Sequence, residues 1–371
     1  MKPLAIQKVR RRPRHAIWEL TTRCNLRCIH CESGAGVQRA DELTTREALS
    51  LCDALADAGC EQCNLSGGEP LLRPDWQQIC GRLVDRGMRV TLVTNGTLLD
   101  ELTAHTCREV GVSAVAMSID GMRATHDRIR RWGARGASSF GKVVQAIGAV
   151  QKVGLMPAAI THVNQWNLGE LASLHALLRQ WGVDYWQVQL GLPLGRMRQL
   201  PDYMLTPGQL PQLARTLAEL LRTGLSPRLR VTDTIGYYTK LEPVLRPRGS
   251  VWTGCYAGVL TVGIDSNGDI KGCSCLPGRF VAGNVRQRSF QEIWADEARF
   301  SYNTDWHEEQ LTGACAQCPY RRVCRAGCTS LAWAVSGSIY ENPYCLHRLE
   351  ALERASAVVQ AGREQQAIRA K

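Results

Sequence analysis

The sequence predicts an α/β protein in which an incomplete barrel of six β/α units is followed by a smaller cysteine-rich domain. Two observations support this prediction. Short apolar runs alternate with longer helical patterns from about residue 14 to residue 190, as expected for parallel strands joined by helices. The cysteines then become dense between Cys255 and Cys345, where the alternation has ended. We therefore expect a partial (β/α)6 barrel at 15–200 and a second domain at 251–346.

The spacing of apolar residues gives the bounds of the barrel elements. The predicted strands are Ala16–Leu20, Cys63–Ser66, Arg89–Thr94, Ser113–Ile119, Met156–Val163 and Tyr185–Leu190. The predicted barrel helices are Thr45–Ala58, Asp75–Arg86, Leu98–Glu109, Phe140–Lys152 and Leu168–Trp181. A basic segment at 1–14, a bridging region at 201–250 with a helix at Gln209–Arg222, and a polar C-terminal helix at 347–371 complete the predicted organisation.

The composition restricts the class of protein. Sixteen cysteines occur among the 371 residues, and no apolar run is long enough to cross a membrane. The N-terminus is basic but lacks the apolar segment of a secretory signal, so we expect a cytoplasmic protein. Because that compartment keeps thiols reduced, metal or cluster ligation is favoured over disulfides. The net charge of +11 would suit an acidic partner, but the chain lacks the basic motifs of nucleic-acid modules. We therefore expect neither nucleic acid nor a membrane as partner.

Three cysteines lie close together in the loop after the first predicted strand. Cys24, Cys28 and Cys31 form a C-x3-C-x2-C pattern. Three thiolates in one loop suit a [4Fe–4S] cube with one iron left without a protein ligand, because such cubes normally take four cysteines. A structural zinc site usually takes four protein ligands and is the poorer fit. The pattern therefore favours a cube with one open iron.

This triplet resembles the hallmark of the radical S-adenosylmethionine (SAM) superfamily. The resemblance extends to Ser-Gly-Gly-Glu-Pro at 66–70, Thr-Asn-Gly at 94–96, Ser-Ile-Asp-Gly at 118–121 and His-Asp-x-x-Arg at 126–130. Most of these segments follow predicted strands, at the end of the barrel where such folds place their active sites. The residues that the resemblance assigns to SAM binding are Gly67, Gly68, Glu69, Asn95, Ser118, Asp120 and Arg130.

Two of these assignments concern specific groups of SAM. The resemblance implies that the Gly-Gly-Glu segment contacts the amino group of SAM, and the guanidinium fork of Arg130 could pair with its carboxylate. An ordinary exposed salt bridge is the alternative for Arg130. The resemblance also implies that the open iron binds SAM, whose reductive cleavage gives a 5′-deoxyadenosyl radical that removes hydrogen from an unactivated carbon. The sequence singles out no catalytic acid or base.

The C-terminal cysteines have the spacing C-x12-G-x4-C, then C-x2-C-x5-C-x3-C, then a last cysteine. This arrangement resembles the SPASM domain, which holds two auxiliary [4Fe–4S] clusters, so the resemblance implies three clusters in all. Two zinc sites are the alternative. The resemblance assigns one auxiliary cluster to Cys255, Cys273 and Cys328, and the other to Cys315, Cys318, Cys324 and Cys345. The first lacks an evident fourth ligand, for which Cys275 is the candidate, unless the site stays open.

The remaining cysteines and several bridging residues are interpreted as structural. We expect buried apolar roles for Cys52, Cys60, Cys63, Cys80 and Cys107, because free cysteines are usually buried. Four residues in or near the bridging region could face a substrate, although ordinary surface or turn positions are the simpler interpretation. These four residues are Asp233, Tyr237, Tyr238 and Arg279.

Relatives with this two-part organisation mostly modify peptides, so the leading hypothesis is oxidative modification or cross-linking of a ribosomally synthesised precursor peptide. Since only 23 residues precede Cys24, we expect that peptide either to dock on the barrel and auxiliary domain or to arrive with a separate leader-binding protein. A reductase such as flavodoxin or ferredoxin is the other expected partner. The alternatives are a sulfatase or quinone-cofactor maturase, a small-molecule or carbohydrate dehydrogenase, and a non-catalytic iron–sulfur or zinc protein. Ser274 stands where sulfatase maturases carry an aspartate base, which disfavours that alternative.

Overall fold

The computed structural model describes residues 9–133, 137–246 and 250–369. Parts of the predicted basic segment (1–8), of the bridging region (247–249) and of the C-terminal helix (370–371) lie outside the described residues. The strands are β1 His15–Glu19, β2 Gln62–Ser66, β3 Arg89–Thr94, β4 Ala114–Ser118, β5 Met156–Val163, β6 Tyr185–Leu190, β7 Arg228–Val231, β8 Thr261–Ile264, β9 Asp269–Lys271 and β10 Gly283–Asn284.

The helices lie between and after these strands. They are α1 Thr45–Asp57, α2 Trp76–Asp85, α3 Glu101–Glu109, α4 Arg123–Ile129, α5 Ser139–Lys152, α6 Leu171–Gln180, α7 Leu210–Arg222, α8 Glu242–Leu245, α9 Phe290–Ala295, α10 Ser301–Thr304, α11 Gly313–Ala316, α12 Arg321–Cys324, α13 Thr329–Ser336 and α14 Leu346–Arg369. Within the described ranges, no helix is both long and apolar enough to cross a membrane.

One sheet contains every strand, in the order β10-β9-β8-β1-β2-β3-β4-β5-β6-β7. Each neighbouring pair from β8 to β7 along this order is parallel, which requires the helical crossovers between the strands. The predicted α/β fold is therefore confirmed, and all six predicted strands are present within about one residue of their predicted bounds.

The sheet is curved into an open barrel. Strands β1 to β7 follow one another in sequence order, and each neighbouring pair is parallel. Because crossovers between parallel strands are right-handed, strands that are added in one direction place all their helices on the same face of the sheet. The helices of successive units contact one another on that face, as α1 does with α2 and α6 with α7. A twisted sheet that is covered by helices on one face curls around its other face, as in a (β/α) barrel.

The outer face of the barrel packs against the helices. Trp18, Leu65 and Leu92 are fully buried in this layer, each on a strand whose side chains alternate between two faces. Helix α1 illustrates the helical side of the core. A capping box between Thr44 and Glu47 begins it, and its apolar face is buried at Ala48, Leu51, Cys52 and Leu55. All five predicted structural cysteines lie in this layer, which confirms their buried, apolar interpretation.

The cysteine-rich region continues the same sheet. Strand β8 pairs in parallel with β1, and β9 and β10 extend it as antiparallel neighbours. The first cysteine loop, which follows β1, is therefore held beside the C-terminal region by backbone hydrogen bonds.

Candidate functional site

The cysteine triplet lies in a loop that is fixed by the surrounding backbone. The amide of Cys24 donates to the carbonyl of Gly36 at 3.1 Å, and the amide of Ile29 donates to the carbonyl of Ile129 at 3.0 Å. Arg196 holds the other side, because its Nε donates to the carbonyl of Cys28 at 2.8 Å. The three thiols are thus presented from a constrained loop at the C-terminal end of the barrel.

The two glycines after β2 allow this loop to approach the sheet. A Cβ on Gly67 would lie 2.5 Å from the carbonyl oxygen of Thr21, and one on Gly68 would lie 2.3 Å from that of Arg23. Gly67 also has a φ of 147°, which L side chains rarely adopt. Glycine is therefore required at both positions to bring the Gly-Gly-Glu segment against the chain that leads into Cys24.

Glu69 is a fully buried carboxylate with hydrogen bonds but no ion pair among the described residues. It accepts from the amide of Asn95 and the hydroxyl of Thr94, both at 2.8 Å, and from the amide of Leu71 at 3.2 Å. Burial raises its pKa to about 7 in spite of these donors. Such a carboxylate favours a cationic ligand, and the ammonium group of SAM fits this requirement.

Asn95 connects the end of β3 to the cysteine loop. Its Nδ2 donates to Oδ1 of Asn25 at 2.9 Å and lies 3.9 Å from the sulfur of Cys24. Its Oδ1 accepts from the amide and the hydroxyl of Thr97. Because every polar atom of its side chain is hydrogen-bonded, Asn95 links the loop after β3 to the cysteine loop.

Asp120 and Arg130 form a buried ion pair beside the triplet. Nε of Arg130 donates to Oδ2 of Asp120 at 2.6 Å. Burial alone would raise the pKa of Asp120, but the Arg130 charge, with smaller contributions from nearby imidazoles, lowers it below the usual range. The other guanidinium nitrogens lie 3.9 Å from the sulfur of Cys28 and 3.4 Å from Nε2 of His30. The alternative considered for Arg130 in the sequence analysis, an exposed salt bridge, is therefore wrong, because this ion pair is buried.

An aromatic stack next to this ion pair was not predicted from the sequence. The rings of His30 and His162 lie 4.7 Å apart, and the rings of His162 and Tyr203 lie 5.7 Å apart and nearly parallel. All three side chains are buried. Both ring nitrogens of His162 and the hydroxyl of Tyr203 have no hydrogen-bond partner within the described part of the chain.

Nε2 of His162 faces the backbone of Gly191, since a Cβ there would lie 1.4 Å from it. Because buried polar groups are normally hydrogen-bonded, Nδ1 of His162 and the hydroxyl of Tyr203 are the two atoms of the stack that a ligand could engage. Burial lowers the pKa of His162 to about 4, so its ring is neutral near pH 7. A flat polar ring such as adenine would fit a neutral aromatic wall of this kind. The available sequence signal was weak: His30 lies inside the cysteine motif, and His162 is close to the end of β5.

Ser118, which the sequence analysis also assigned to SAM binding, lies at the end of β4 and is half-buried.

The first auxiliary group brings four thiols together. Cys255 and Cys328 interact electrostatically with each other and with Cys273. The thiol of Cys275 hydrogen-bonds to Cys273 and also interacts with Cys328. This hydrogen bond lowers the pKa of Cys273, as expected for a thiolate that accepts from a neighbour. The candidate fourth ligand is therefore located beside the other three.

The second auxiliary group is formed by Cys315, Cys318, Cys324 and Cys345, whose thiols interact with one another. In the described ranges, no three His, Cys, Asp or Glu side chains meet closely enough to hold one metal ion.

The four bridging-region candidates make mainly structural contacts. The hydroxyl of Tyr237 accepts from the amide of Cys328 at 2.9 Å and donates to the carbonyl of Asp233 at 2.5 Å. Tyr238 donates to the carbonyl of Trp252. The guanidinium of Arg279 lies 4.3 Å from the ring centroid of Trp333. These contacts agree with the simpler interpretation, except that Tyr237 is a core residue rather than a surface one.

Comparison with known proteins places this geometry in a family. The family model described as "Radical SAM superfamily" matches residues 18–174, and the SPASM model, described as "Iron-sulfur cluster-binding domain", matches residues 255–319. The AdoMet-dependent heme synthase of Methanosarcina barkeri is 34% identical over 351 residues, which cover 91% of this chain and 97% of that protein. Mycofactocin maturase MftC of Mycobacterium ulcerans is 28% identical over 329 residues, covering 84% of this chain and 81% of that protein.

A solved structure shows the same fold. The structure of Streptococcus suis SuiB bound to its precursor peptide SuiA aligns with a TM-score of 0.72 and 14% identity. The alignment covers 91% of this chain and 76% of SuiB. The family itself is identified by the matched family models and by the 34% identical heme synthase. The chain belongs to the radical SAM superfamily, in the subgroup that carries a SPASM domain.

Proposed function

We propose that this radical SAM enzyme acts as a heme synthase, converting propionate side chains of an iron porphyrin into vinyl groups with loss of carbon dioxide. The observation that supports the proposal is the 34% identity to a heme synthase over 97% of that protein's length. Coproporphyrin carries propionates at the two positions where heme carries vinyl groups. Their conversion requires removal of hydrogen from an unactivated carbon, which is the chemistry of this superfamily.

Membership of the family implies [4Fe–4S] clusters and SAM as cofactors. When bound, they supply the electron and the C–S bond whose cleavage gives a 5′-deoxyadenosyl radical. We propose that Cys24, Cys28 and Cys31 hold the SAM cluster and that the two auxiliary thiol groups hold one cluster each, three in all. Cys275 is the proposed fourth ligand of the first auxiliary cluster.

The residues around the triplet would bind and orient SAM. Glu69 would accept from its ammonium group, and the nitrogens of Arg130 that face Cys28 would bind its carboxylate. Asp120 would keep that guanidinium in place. The stack containing His162 and Tyr203 would pack on the adenine and keep water out of the site.

Each propionate that is converted releases one electron, so the reaction needs one electron acceptor. With SAM bound, the reaction would remove a hydrogen atom from the propionate β-carbon, and the substrate would then lose carbon dioxide and one electron to leave the vinyl group. We propose an iron–sulfur acceptor at the first auxiliary group. A flavodoxin- or ferredoxin-type reductase would supply the electron that starts each turnover, and a cytoplasmic location would keep the sixteen thiols reduced.

The test is anaerobic reconstitution with iron and sulfide, followed by reaction with SAM, dithionite and iron coproporphyrin III. We expect 5′-deoxyadenosine and porphyrin products that have lost one and then two propionates, read by mass spectrometry. A variant lacking the three triplet cysteines is the control and should give neither. Formation of 5′-deoxyadenosine while the porphyrin stays unchanged would contradict the proposal.

A precursor peptide is the second candidate substrate, because the mycofactocin maturase is 28% identical over most of this chain. Under this alternative the enzyme would oxidise or cross-link the peptide, with a separate leader-binding protein presenting it. The same assay discriminates between the two substrates. A precursor peptide deuterated at its side chains would transfer deuterium to 5′-deoxyadenosine only if the peptide is the substrate.

A further inference from the structure

We propose that Arg325 is the cationic partner of the first auxiliary iron–sulfur cluster and raises the reduction potential of that cluster by donating hydrogen bonds to its sulfur atoms. This inference deepens the proposed function, on which it rests for the presence of the cluster and for its role as electron acceptor. Arg325 stands at an unspecified position of the C-x3-C spacing between Cys324 and Cys328, so the cysteine pattern assigns it no role.

Arg325 carries a buried guanidinium group without an anion. The residue is 6% exposed, and its Nη2 donates to the carbonyl of Asn303 at 3.1 Å. Neither its Nε nor its Nη1 has a hydrogen-bond partner in the described part of the chain. Burial lowers the pKa of Arg325 to about 10, so the group remains charged near pH 7. A buried charge is normally paired, because its removal from water is otherwise strongly unfavourable.

The other two arginines that are buried within the described ranges both have carboxylate partners. Nε of Arg73 donates to Oδ1 of Asp75 at 2.7 Å, and Nε of Arg246 donates to Oε1 of Glu242 at 2.6 Å. Arg325 is buried to the same extent but lacks such a partner. Its anion must therefore come from a group that is bound to the protein, and a cluster held by thiolates is such a group.

The backbone at Arg325 indicates that its side chain is needed. Arg325 and Ala326 have φ values of 58° and 60°, in the left-handed region that is unfavourable for residues with a Cβ. Glycine would avoid this cost, as Gly327 does at the next position with a φ of 73°. Strained positions of this kind are concentrated at functional sites, where the surrounding structure compensates for them.

Hydrogen bonds attach the guanidinium group to the segment that carries the first auxiliary thiols. The buried side chain of Asn303, whose carbonyl accepts from Nη2, donates through Nδ2 to the carbonyl of Ala257 at 2.8 Å. Ala257 follows Cys255 by two residues, and the charge of a Cys255 thiolate raises the pKa of Arg325. Cζ of Arg325 lies 4.5 Å from the ring centroid of Trp306, so the ring covers the face of the guanidinium group and leaves the N–H groups at its edge.

A cation in this position would change the redox chemistry of the cluster. The reduced form of a cluster is more negative than the oxidised form by one charge, so a neighbouring cation stabilises the reduced form more. The net charge and the hydrogen bonds to the sulfur atoms are both known to set the potentials of iron–sulfur clusters. A raised potential suits the first auxiliary cluster, because the proposed reaction requires it to accept an electron.

The test measures the midpoint potentials of the auxiliary clusters by electron paramagnetic resonance, during an anaerobic redox titration of the reconstituted enzyme without substrate. The signal that disappears in Cys255→Ala identifies the first auxiliary cluster. The variants are Arg325→Gln, which removes the charge, and Arg325→Lys, which retains it. Arg322→Gln is the matched control, because Arg322 is exposed on α12 and its partner Glu308 also pairs with another arginine.

We expect Arg325→Gln to retain its iron and to lower the equilibrium constant for reduction of the first auxiliary cluster about tenfold, as for the loss of hydrogen bonds to a charged group. For one electron this change corresponds to about 59 mV. Arg325→Lys should show a smaller shift, because the charge remains. The control should titrate as the wild type does.

The outcomes separate the inference from the proposed function. A wild-type potential in Arg325→Gln, or equal shifts in Arg325→Gln and Arg325→Lys, would overturn the inference. Loss of the first auxiliary cluster from Arg325→Gln alone would support it, whereas loss from both variants would overturn it, since packing rather than charge would then hold the site. A wild-type enzyme that binds no auxiliary cluster would overturn the proposed cofactors together with the inference. Because the titration contains no substrate, it does not depend on whether a porphyrin is converted.

Discussion

The carboxylate of Glu32 interacts directly with the thiol of Cys275. Glu32 directly follows Cys31 of the triplet, whereas Cys275 belongs to the first auxiliary group. The same carboxylate accepts from the amide of Leu192 at 3.0 Å, just after β6. The two predicted cluster sites are therefore joined by a direct side-chain contact, which fixes their relative position.

Replacement of Cys275 tests its proposed role as a ligand. We expect Cys275→Ala to lose iron from the first auxiliary site, so that the content falls from the roughly twelve irons of three cubes toward eight. Iron analysis and electron paramagnetic resonance after anaerobic reconstitution would measure this. Cys52→Ala, in the core beneath α1, is the control and should retain all three clusters. Full iron and an unchanged spectrum in Cys275→Ala would show that the site is open or ligated otherwise.

Gly68 should be intolerant of a side chain. A Cβ there would lie 2.3 Å from the carbonyl oxygen of Arg23, so Gly68→Ala must displace the chain that leads into the triplet. We expect loss of the SAM cluster and of 5′-deoxyadenosine formation. The control is Gly81→Ala on α2, where a Cβ meets nothing within 4 Å and helix propensity should add about 1 kcal/mol of stability. A Gly68→Ala enzyme with a normal SAM cluster would refute the close approach.

The parts of the fold that the sequence predicts are those whose pattern lies within a short stretch of contiguous residues. Strands β3, β5 and β6 have the predicted bounds because alternation and flanking glycines are properties of contiguous sequence. Strands β7 to β10 contain only two to four residues, too few to show a period. The pairing of β8 with β1 joins segments about 250 residues apart, which no local pattern records.

The same distinction holds at the site. Glu69 and Asn95 stood out because each lies in a short motif at a strand end. The partner of Arg130 could not be chosen from the sequence, since a cofactor carboxylate and Asp120 offer the same chemistry. His162 and Tyr203 lie about 40 residues apart, and their stacking depends on how the segment after β6 folds back over β5.

A pair of tyrosine substitutions tests whether the aromatic stack is kept for a ligand. The hydroxyl of Tyr203 is buried without a partner, so Tyr203→Phe should raise the free energy of unfolding, or leave it unchanged, while weakening SAM binding. Tyr237 is similarly buried, but its hydroxyl makes two hydrogen bonds, so Tyr237→Phe should cost about 1–3 kcal/mol. Urea denaturation and SAM titration would measure the effects. Equal destabilisation by both substitutions would show that the Tyr203 hydroxyl has a partner in the native protein.

The pKa of Glu69 predicts a pH dependence that its glutamine variant lacks. Burial raises this pKa from the ordinary 4.5 to about 7, so the folded enzyme without SAM binds more protons than the unfolded chain between these values. Protonated Glu69 makes its full contribution to the free energy of unfolding below about pH 4.5, and this contribution is lost as pH rises through 7. The wild type should therefore lose stability relative to Glu69→Gln over this window, by up to about 3 kcal/mol. Denaturation of both proteins at pH 5 and pH 8 would measure the difference, with the exposed-site variant Glu109→Gln as control.

Bound SAM should abolish this loss of stability. An ammonium group beside Glu69 favours the ionised carboxylate, so bound SAM should lower the pKa of Glu69 and remove the loss of stability above pH 7. SAM affinity in the wild type should accordingly fall as pH drops below about 7, because the carboxylate becomes neutral. In Glu69→Gln the affinity should be lower, by about tenfold or more, and should lack this step. A wild-type affinity for SAM that does not change between pH 6 and pH 8 would exclude Glu69 as the partner of the ammonium group.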